Sequence, residues 1–144
     1  MCSDRPMFVV QLHQATTLHH DLRLEVDGVL VSWAVPKGPS PEPGVKRLAV
    51  KVGDHDLAHA QVEGVQGSGW VEIWDRGVYD NLTERDGVAV QMTAGLAAGH
   101  VTVRLRGERL NGVFALIRTR MGGDDRAWLL IALAAPEGVR ISGA

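Results

Sequence analysis

The sequence has a single cysteine, Cys2, in 144 residues, which excludes an internal disulfide and makes a reducing, cytoplasmic setting the expectation. No hydrophobic run approaches the length of a membrane span, so no membrane partner is expected. The opening Met-Cys-Ser-Asp-Arg-Pro lacks the basic start and apolar stretch of a secretory leader. There is no surplus of positive charge either. A formal net charge of −2 excludes a protein that coats nucleic acid by bulk charge, while leaving room for a local phosphate-binding patch. Internal repeats, low-complexity tracts and domain linkers are all missing. What is present is a chain with 45% hydrophobic and 22% charged residues, long enough to bury about 68–70% of its extended surface in one core. Such a chain needs no metal merely to fold, so any metal serves chemistry. One domain over residues 1–144 is expected, with residues 1–6 disordered.

The near-neutral charge is a sum of unlike regions. Lys37, Lys46, Arg47 and Lys51 face only Glu42 within residues 33–51, whereas residues 52–101 carry eight acids against Arg76 and Arg85. Lys46 and Lys51 are read as a solvated face.

Apolar residues recur with period two far more than with period 3.6, which predicts strands. Leu22, Leu24 and Val26 alternate with Arg23 and Glu25; Asp27-Gly28 then predicts a tight turn into Val29–Val35. Further strands are predicted at Phe8–Leu12, Leu48–Val52, Trp70–Trp74, Val88–Met92, Val101–Leu105, Val113–Arg118 and Trp128–Leu133. The proline-rich stretch 36–44 is neither helix nor central strand and predicts an exposed loop. Leu96–Gly99 is too short for a substantial helix. The fold class is therefore mainly β, a small closed or nearly closed antiparallel barrel with a polar active-site cavity and little helix. Trp33, Trp70, Trp74 and Trp128 are assigned to core or barrel wall, not to base stacking, and Asp75-Arg76 to a structural ion pair.

The chemistry-bearing residues cluster. His13, His19 and His20 lie near the start, His55 and His59 further on, and His100 apart. If a strand begins near Leu18, His19, Asp21, Arg23 and Glu25 share one face while Leu18, Leu22, Leu24 and Val26 share the other, the core face. Imidazole and carboxylate bind a divalent metal, and a guanidinium two residues along can grip phosphate oxygens. His13 can add a third ligand. Two histidines and one carboxylate also suit a non-haem iron oxygenase, so the ligands alone leave the reaction open; the arginine favours phosphate. His55 is a candidate acid, base or phosphate contact.

Several ordered blocks resemble the 3′-phosphoesterase domain of bacterial DNA ligase D. They begin with Phe8-Val-Val-Gln-Leu-His13 and Leu18-His19-His20-Asp21-Leu22-Arg23-Leu24-Glu25. They continue through Ser32–Pro39, Lys46–Val50, Asp54-His55, Trp74–Gly77, Gly112–Leu116 and Trp128–Ile131. The resemblance spans roughly residues 7–133 and implies a small barrel using a divalent metal, typically manganese, to remove 3′-phosphates and 3′-terminal ribonucleotides from DNA ends for repair. It implies His13, His19 and Asp21 as metal ligands and Arg23 and His55 as catalytic contacts to the scissile phosphate, with His55 assisting proton transfer. Lys37, Arg47 and His59 are implied on the substrate side. DNA or DNA/RNA 3′ ends are the implied partners, with ligase and polymerase partners supplied in trans to a stand-alone member at the nucleoid. His59 stands where the family usually has tyrosine, Gly53 and Ala132 replace an acid and a lysine, and the segment 64–69 is shortened. These departures bear on ribonucleotide removal more than on metal binding. Two other readings stay open: a weak or inactive relative that binds phosphorylated nucleic-acid ends, and a barrel-housed metal enzyme acting on a small molecule.

Overall fold

The computed structural model describes residues 5–133. Residues 1–4, within the stretch expected to be disordered, lie outside the described residues. Arg5 pairs with Asp80 at 2.9 Å and the Pro6 carbonyl accepts the Tyr79 N–H, so both are tied to the fold.

The strands are β1 (Met7–Gln14), β2 (Leu18–Val26), β3 (Val29–Val35), β4 (Lys46–Asp56), β5 (Gly64–Gln66), β6 (Gly69–Asn81), β7 (Glu84–Arg85), β8 (Val88–Ala89), β9 (His100–Arg106), β10 (Asn111–Arg118) and β11 (Ala127–Leu133). One helix, α1 (Met92–Ala98), and two 3-10 turns, Leu57–Gln61 and Met121–Gly123, complete the elements. Antiparallel pairing runs β1-β2-β3-β4-β11-β10-β9-β6 and returns from β6 to β1, closing an eight-stranded barrel; β5 adds to the free edge of β6. Asp27 and Gly28 both have positive φ, 50° and 85°, the backbone that a two-residue hairpin needs to match strand twist.

Inward-facing side chains fill the barrel. Phe8, Leu22, Leu24, Trp33, Phe114, Leu116, Trp128 and Leu130 form its apolar core, with Trp33 and Trp128 meeting edge to face at 5.6 Å. A smaller cluster of Val9, Leu30 and Ala60 lies on the opposite side of the sheet, where the 57–61 turn covers the outer faces of β1 and β3. The polar cavity is therefore on the outside of the barrel wall, under this cover, and the barrel interior is lined by the apolar cluster.

Three expectations are corrected. Val88–Met92 is a strand only at Val88-Ala89: pairing with β7 stops at Ala89, and Met92 opens α1, whose Met92 and Leu96 pack on the core. Asp75 does not use its carboxylate on the Arg76 guanidinium; it accepts the backbone N–H groups of Arg76, Glu108, Arg109 and Leu110 and so holds the β9–β10 turn. Trp70 is neither core nor closed wall. It is 38% exposed, because β1, β2 and β6 keep pairing past His20–Val35, the last pair between β2 and β3.

Among the described residues, no helix is long and apolar enough to cross a membrane.

Candidate active site

Alternation along β1 and β2 builds the site. In β1, Val9, Gln11 and His13 face outward; in β2, His19, Asp21 and Arg23 do the same, opposite His13, Gln11 and Val9 in register. The intervening Val10, Leu22 and Leu24 anchor in the barrel core, fixing the outward row by packing its neighbours. His55 comes from the end of β4 and His59 from the 57–61 turn. Together they bound a cavity of about 310 Å³ lined by His13, His19, Asp21, Arg23, His55 and His59, with Ala34, Val52 and Val71 as its apolar wall.

His13, His19 and Asp21 present ligand atoms that all lie within 4.8 Å of one another. His13 Nδ1 is 3.4 Å from Asp21 Oδ2 and His19 Nε2 is 3.2 Å from Asp21 Oδ1. Donors bound about 2.1 Å from one small cation at ordinary coordination angles are separated by about 3.0–3.4 Å, and both imidazole–carboxylate separations lie in that range, which makes the three a candidate divalent-metal set. The Thr17 carbonyl lies 3.3 Å from His19 Nδ1. A carbonyl only accepts, so the proton belongs on Nδ1 and the Nε2 lone pair is free for the centre.

Arg23 is buried, and its fork is fully directed. Nε donates to Gln11 Oε1 at 2.7 Å, Nη1 donates to Ser32 Oγ at 2.9 Å and to His55 Nδ1 at 3.1 Å, and Nη2 donates to Asp21 Oδ2 at 3.2 Å. These contacts use four of its five N–H donors and leave one on Nη2, the side of the metal ligands. Arginine has no acceptor, so the His55 ring takes this bond on an unprotonated Nδ1 and carries its proton on Nε2. Burial, then the Arg23 charge, hold His55 below the ordinary imidazole pKa, against the opposing pull of the Gly53 carbonyl and of Asp21. Burial, Arg23 and His55 do the same for His59, whose ring centre is 4.5 Å from that of His55. Both rings are therefore neutral at pH 7.

Sequence reasoning missed Gln11 and Ser32. Both are completely buried. Besides holding Arg23, Gln11 donates from Nε2 to the carbonyls of His59, at 2.7 Å, and Val62, at 3.2 Å. It thus ties the guanidinium to the segment that carries His59. The signal was present as a lone polar residue in each of two apolar strands, Gln11 two positions from His13 and Ser32 opposite Arg23. Gln11→Leu is expected to lower folding stability by about 2–4 kcal/mol, because it strands one buried guanidinium N–H and two carbonyls. The check is a urea unfolding curve; a midpoint equal to that of the parent protein would refute the bridging role.

Lys37 and Arg47 are not brought into this cavity. With Lys46 they line a separate one of about 290 Å³ where β3 leaves and β4 enters the barrel. His20 points to the other side of the sheet, its ring 4.9 Å edge-on from Trp74, and burial lowers its pKa as well.

The three depressed histidines make a signed pH prediction. The unfolded chain takes up protons at these rings below about pH 6.5, while the folded chain resists until lower pH, so stability is full above that value and falls as pH drops below it. Thermal midpoints are expected to be level from pH 8 to 7 and to decline from about pH 6.5 towards 5. His20→Phe should flatten part of the decline, and an unchanged slope would show that burial of this ring contributes nothing.

The comparisons agree with the geometry. The family model described as the DNA Ligase D 3′-phosphoesterase domain matches residues 11–118, which include every ligand and every Arg23 partner named above. The chain is 46% identical over 129 residues to the multifunctional non-homologous end joining protein LigD of Pseudomonas aeruginosa, covering 86% of this chain and 14% of that protein. It is 44% identical over 131 residues to the multifunctional non-homologous end joining DNA repair protein LigD of Mycobacterium tuberculosis, covering 88% and 16%. The corresponding protein of Mycolicibacterium smegmatis is 42% identical over 119 residues. The chain thus spans roughly one-seventh of the length of these relatives. With a matched model over most of its length and relatives above 40% identity on the same residues, the chain belongs to the DNA ligase D 3′-phosphoesterase domain family.

Proposed function

We propose that this protein is a divalent-metal-dependent phosphoesterase that removes 3′-phosphate from DNA ends, leaving a 3′-hydroxyl for end joining at the nucleoid. The observation that carries the reading is the convergence of His13, His19 and Asp21 with a buried, pre-aimed arginine in one cavity. The names of the relatives place their activity in non-homologous end joining, and partners that rejoin the ends would act in trans. Two imidazoles and a carboxylate suit a divalent first-row ion, and manganese is the one that the family resemblance implies. When bound, a divalent ion supplies Lewis-acid polarisation of the phosphoryl oxygens.

The chain's own residues do the rest. Arg23 sits behind Asp21 with one Nη2 N–H free, directed by four fixed partners, so it meets developing phosphoryl charge without reorganising. His55 is assigned here as a neutral hydrogen-bond donor from Nε2 to a phosphoryl oxygen. A proton-transfer role is disfavoured because its other nitrogen is occupied by Arg23 and neutral imidazole is a very weak acid. His59 contacts substrate from the covering turn. Lys37 and Arg47, in their separate cavity, are placed on the strand leading away from the end. Removal of 3′-terminal ribonucleotides would use the same cavity, with His59 as the residue whose identity bears on it.

The test is conversion of a 3′-phosphate primer to 3′-hydroxyl on a template with manganese, magnesium, zinc or no metal, alongside His19→Ala. Metal-dependent conversion that His19→Ala abolishes is expected. No conversion with any of these metals would overturn the reading.

A further inference from the structure

Two neighbouring rows of residues cross the strands at the edge of the candidate site, and they face opposite ways. In one, His19, His13, Val71 and Gly64 stand side by side across β2, β1, β6 and β5, with the ligands towards the cavity. In the next, one residue along, Leu18, Gln14, Trp70 and Val65 stand side by side and face the other way. This second row is open: Leu18 is 50%, Trp70 38% and Val65 79% exposed. Trp70 and Val65 lie side by side, with Leu18 beyond Gln14, and the exposed indole is a surface that water covers poorly.

The row is held where it is by backbone. A Cβ at Gly69 would overlap the Gln14 carbonyl, so the start of β6 lies directly against the end of β1 and Trp70 is carried at a fixed distance from His13. The other tryptophans cannot play this part: Trp33 and Trp128 are buried in the core, and Trp74 packs on His20 and under the Arg109 guanidinium.

We propose that Trp70, flanked by Gln14 and Val65, is a stacking platform for an unpaired nucleobase next to the phosphate end held on the far side of the same strands. This rests on the reading of the cavity as a DNA 3′-end site. Indole faces accept any base, and a stacked base is worth roughly five- to 150-fold in affinity. Glu72, two positions along β6 on the same side and exposed, makes the platform unattractive to phosphate, so its contribution is stacking and not charge. The base is the first unpaired one of the strand opposite the end, since the terminal nucleotide of the end-bearing strand is paired.

The experiment measures binding without turnover. A 3′-phosphate primer annealed to a template with a 5′ overhang is titrated into the full chain without added metal, and affinity is read by anisotropy of a dye on the remote duplex end. Three substrates are used: intact, abasic at the primer's last nucleotide, and abasic at the first overhang nucleotide. Trp70→Ala is expected to weaken binding of the intact substrate by about 5- to 150-fold by the same factor at 50 and 150 mM salt. Trp70→Phe should keep most of the affinity. The penalty should vanish with the abasic overhang and persist with the abasic primer terminus. An unchanged affinity in Trp70→Ala, or a penalty that the abasic overhang retains, overturns the platform. Turnover of p-nitrophenyl phosphate by Trp70→Ala reports separately on the cavity, so failure of the phosphoesterase reading and failure of the platform give different results.

Discussion

Asp21→Asn is expected to slow 3′-phosphate release by about a thousandfold or more, the scale of several kcal/mol that a catalytic metal supplies. The expectation rests on how many groups meet at this one carboxylate. Its two oxygens lie within 3.4 Å of His13 Nδ1, His19 Nε2 and Arg23 Nη2, so it neutralises a buried cation and completes the proposed ligand set at once. Asparagine keeps the shape and one acceptor oxygen but removes the charge and turns the other corner into a donor aimed at a lone pair or at Arg23. Two readouts separate these losses. Calorimetric titration with manganese should show weaker binding by well over tenfold. Denaturant unfolding without metal should show a loss of about 3 kcal/mol, the cost of leaving a buried charge unpaired. A variant that binds manganese as tightly as the parent protein would remove Asp21 from the metal centre, whatever its activity.

Much of this site can be read from the sequence because one physical rule, alternation, sorts both the core and the row of polar groups. Leu22 and Leu24 fix the side on which Asp21 and Arg23 must emerge, and Asp27-Gly28 fixes the register that brings Ser32 opposite Arg23. The rule fails where a strand is covered twice. Phe8, Val9 and Val10 are all buried, since one side faces the barrel and the other lies beneath the 57–61 turn, and such a strand loses its period. That cover also explains why Gln11 was overlooked: a polar residue in an apolar strand signals a partner, but the carbonyls it serves, at His59 and Val62, lie about 50 positions away. Val88–Met92 alternates like a strand, yet among the described residues its strand pairing is confined to Val88 and Ala89 with β7, and the local helix at Met92 wins. Lys37 follows the end of β3 and Arg47 opens β4, at the opposite end of that strand from His55, and linear spacing does not show which strand end borders the cavity.

Arg23 offers the sharpest separation of charge from geometry. Its guanidinium satisfies acceptors on Gln11, Ser32, His55 and Asp21 from three different nitrogens, at 2.7–3.2 Å. Lysine at this position keeps the charge but concentrates its donors at one atom. An ammonium next to Asp21 cannot also reach Gln11 and Ser32. Arg23→Lys is therefore expected to cost about 2–4 kcal/mol of stability through stranded buried acceptors, and about 100- to 1000-fold in kcat through the lost fixed donor. Arg23→Gln removes the charge as well and adds a second signature. With the guanidinium gone, one of the two causes that hold the His55 pKa down disappears, and the ring should titrate closer to its ordinary value. An NMR titration of the His55 ring should then move to higher pH in Arg23→Gln and much less in Arg23→Lys, where a positive charge remains. Equal titrations in parent, lysine and glutamine proteins would show that burial alone sets the state of His55 and would leave Arg23 with a purely structural part.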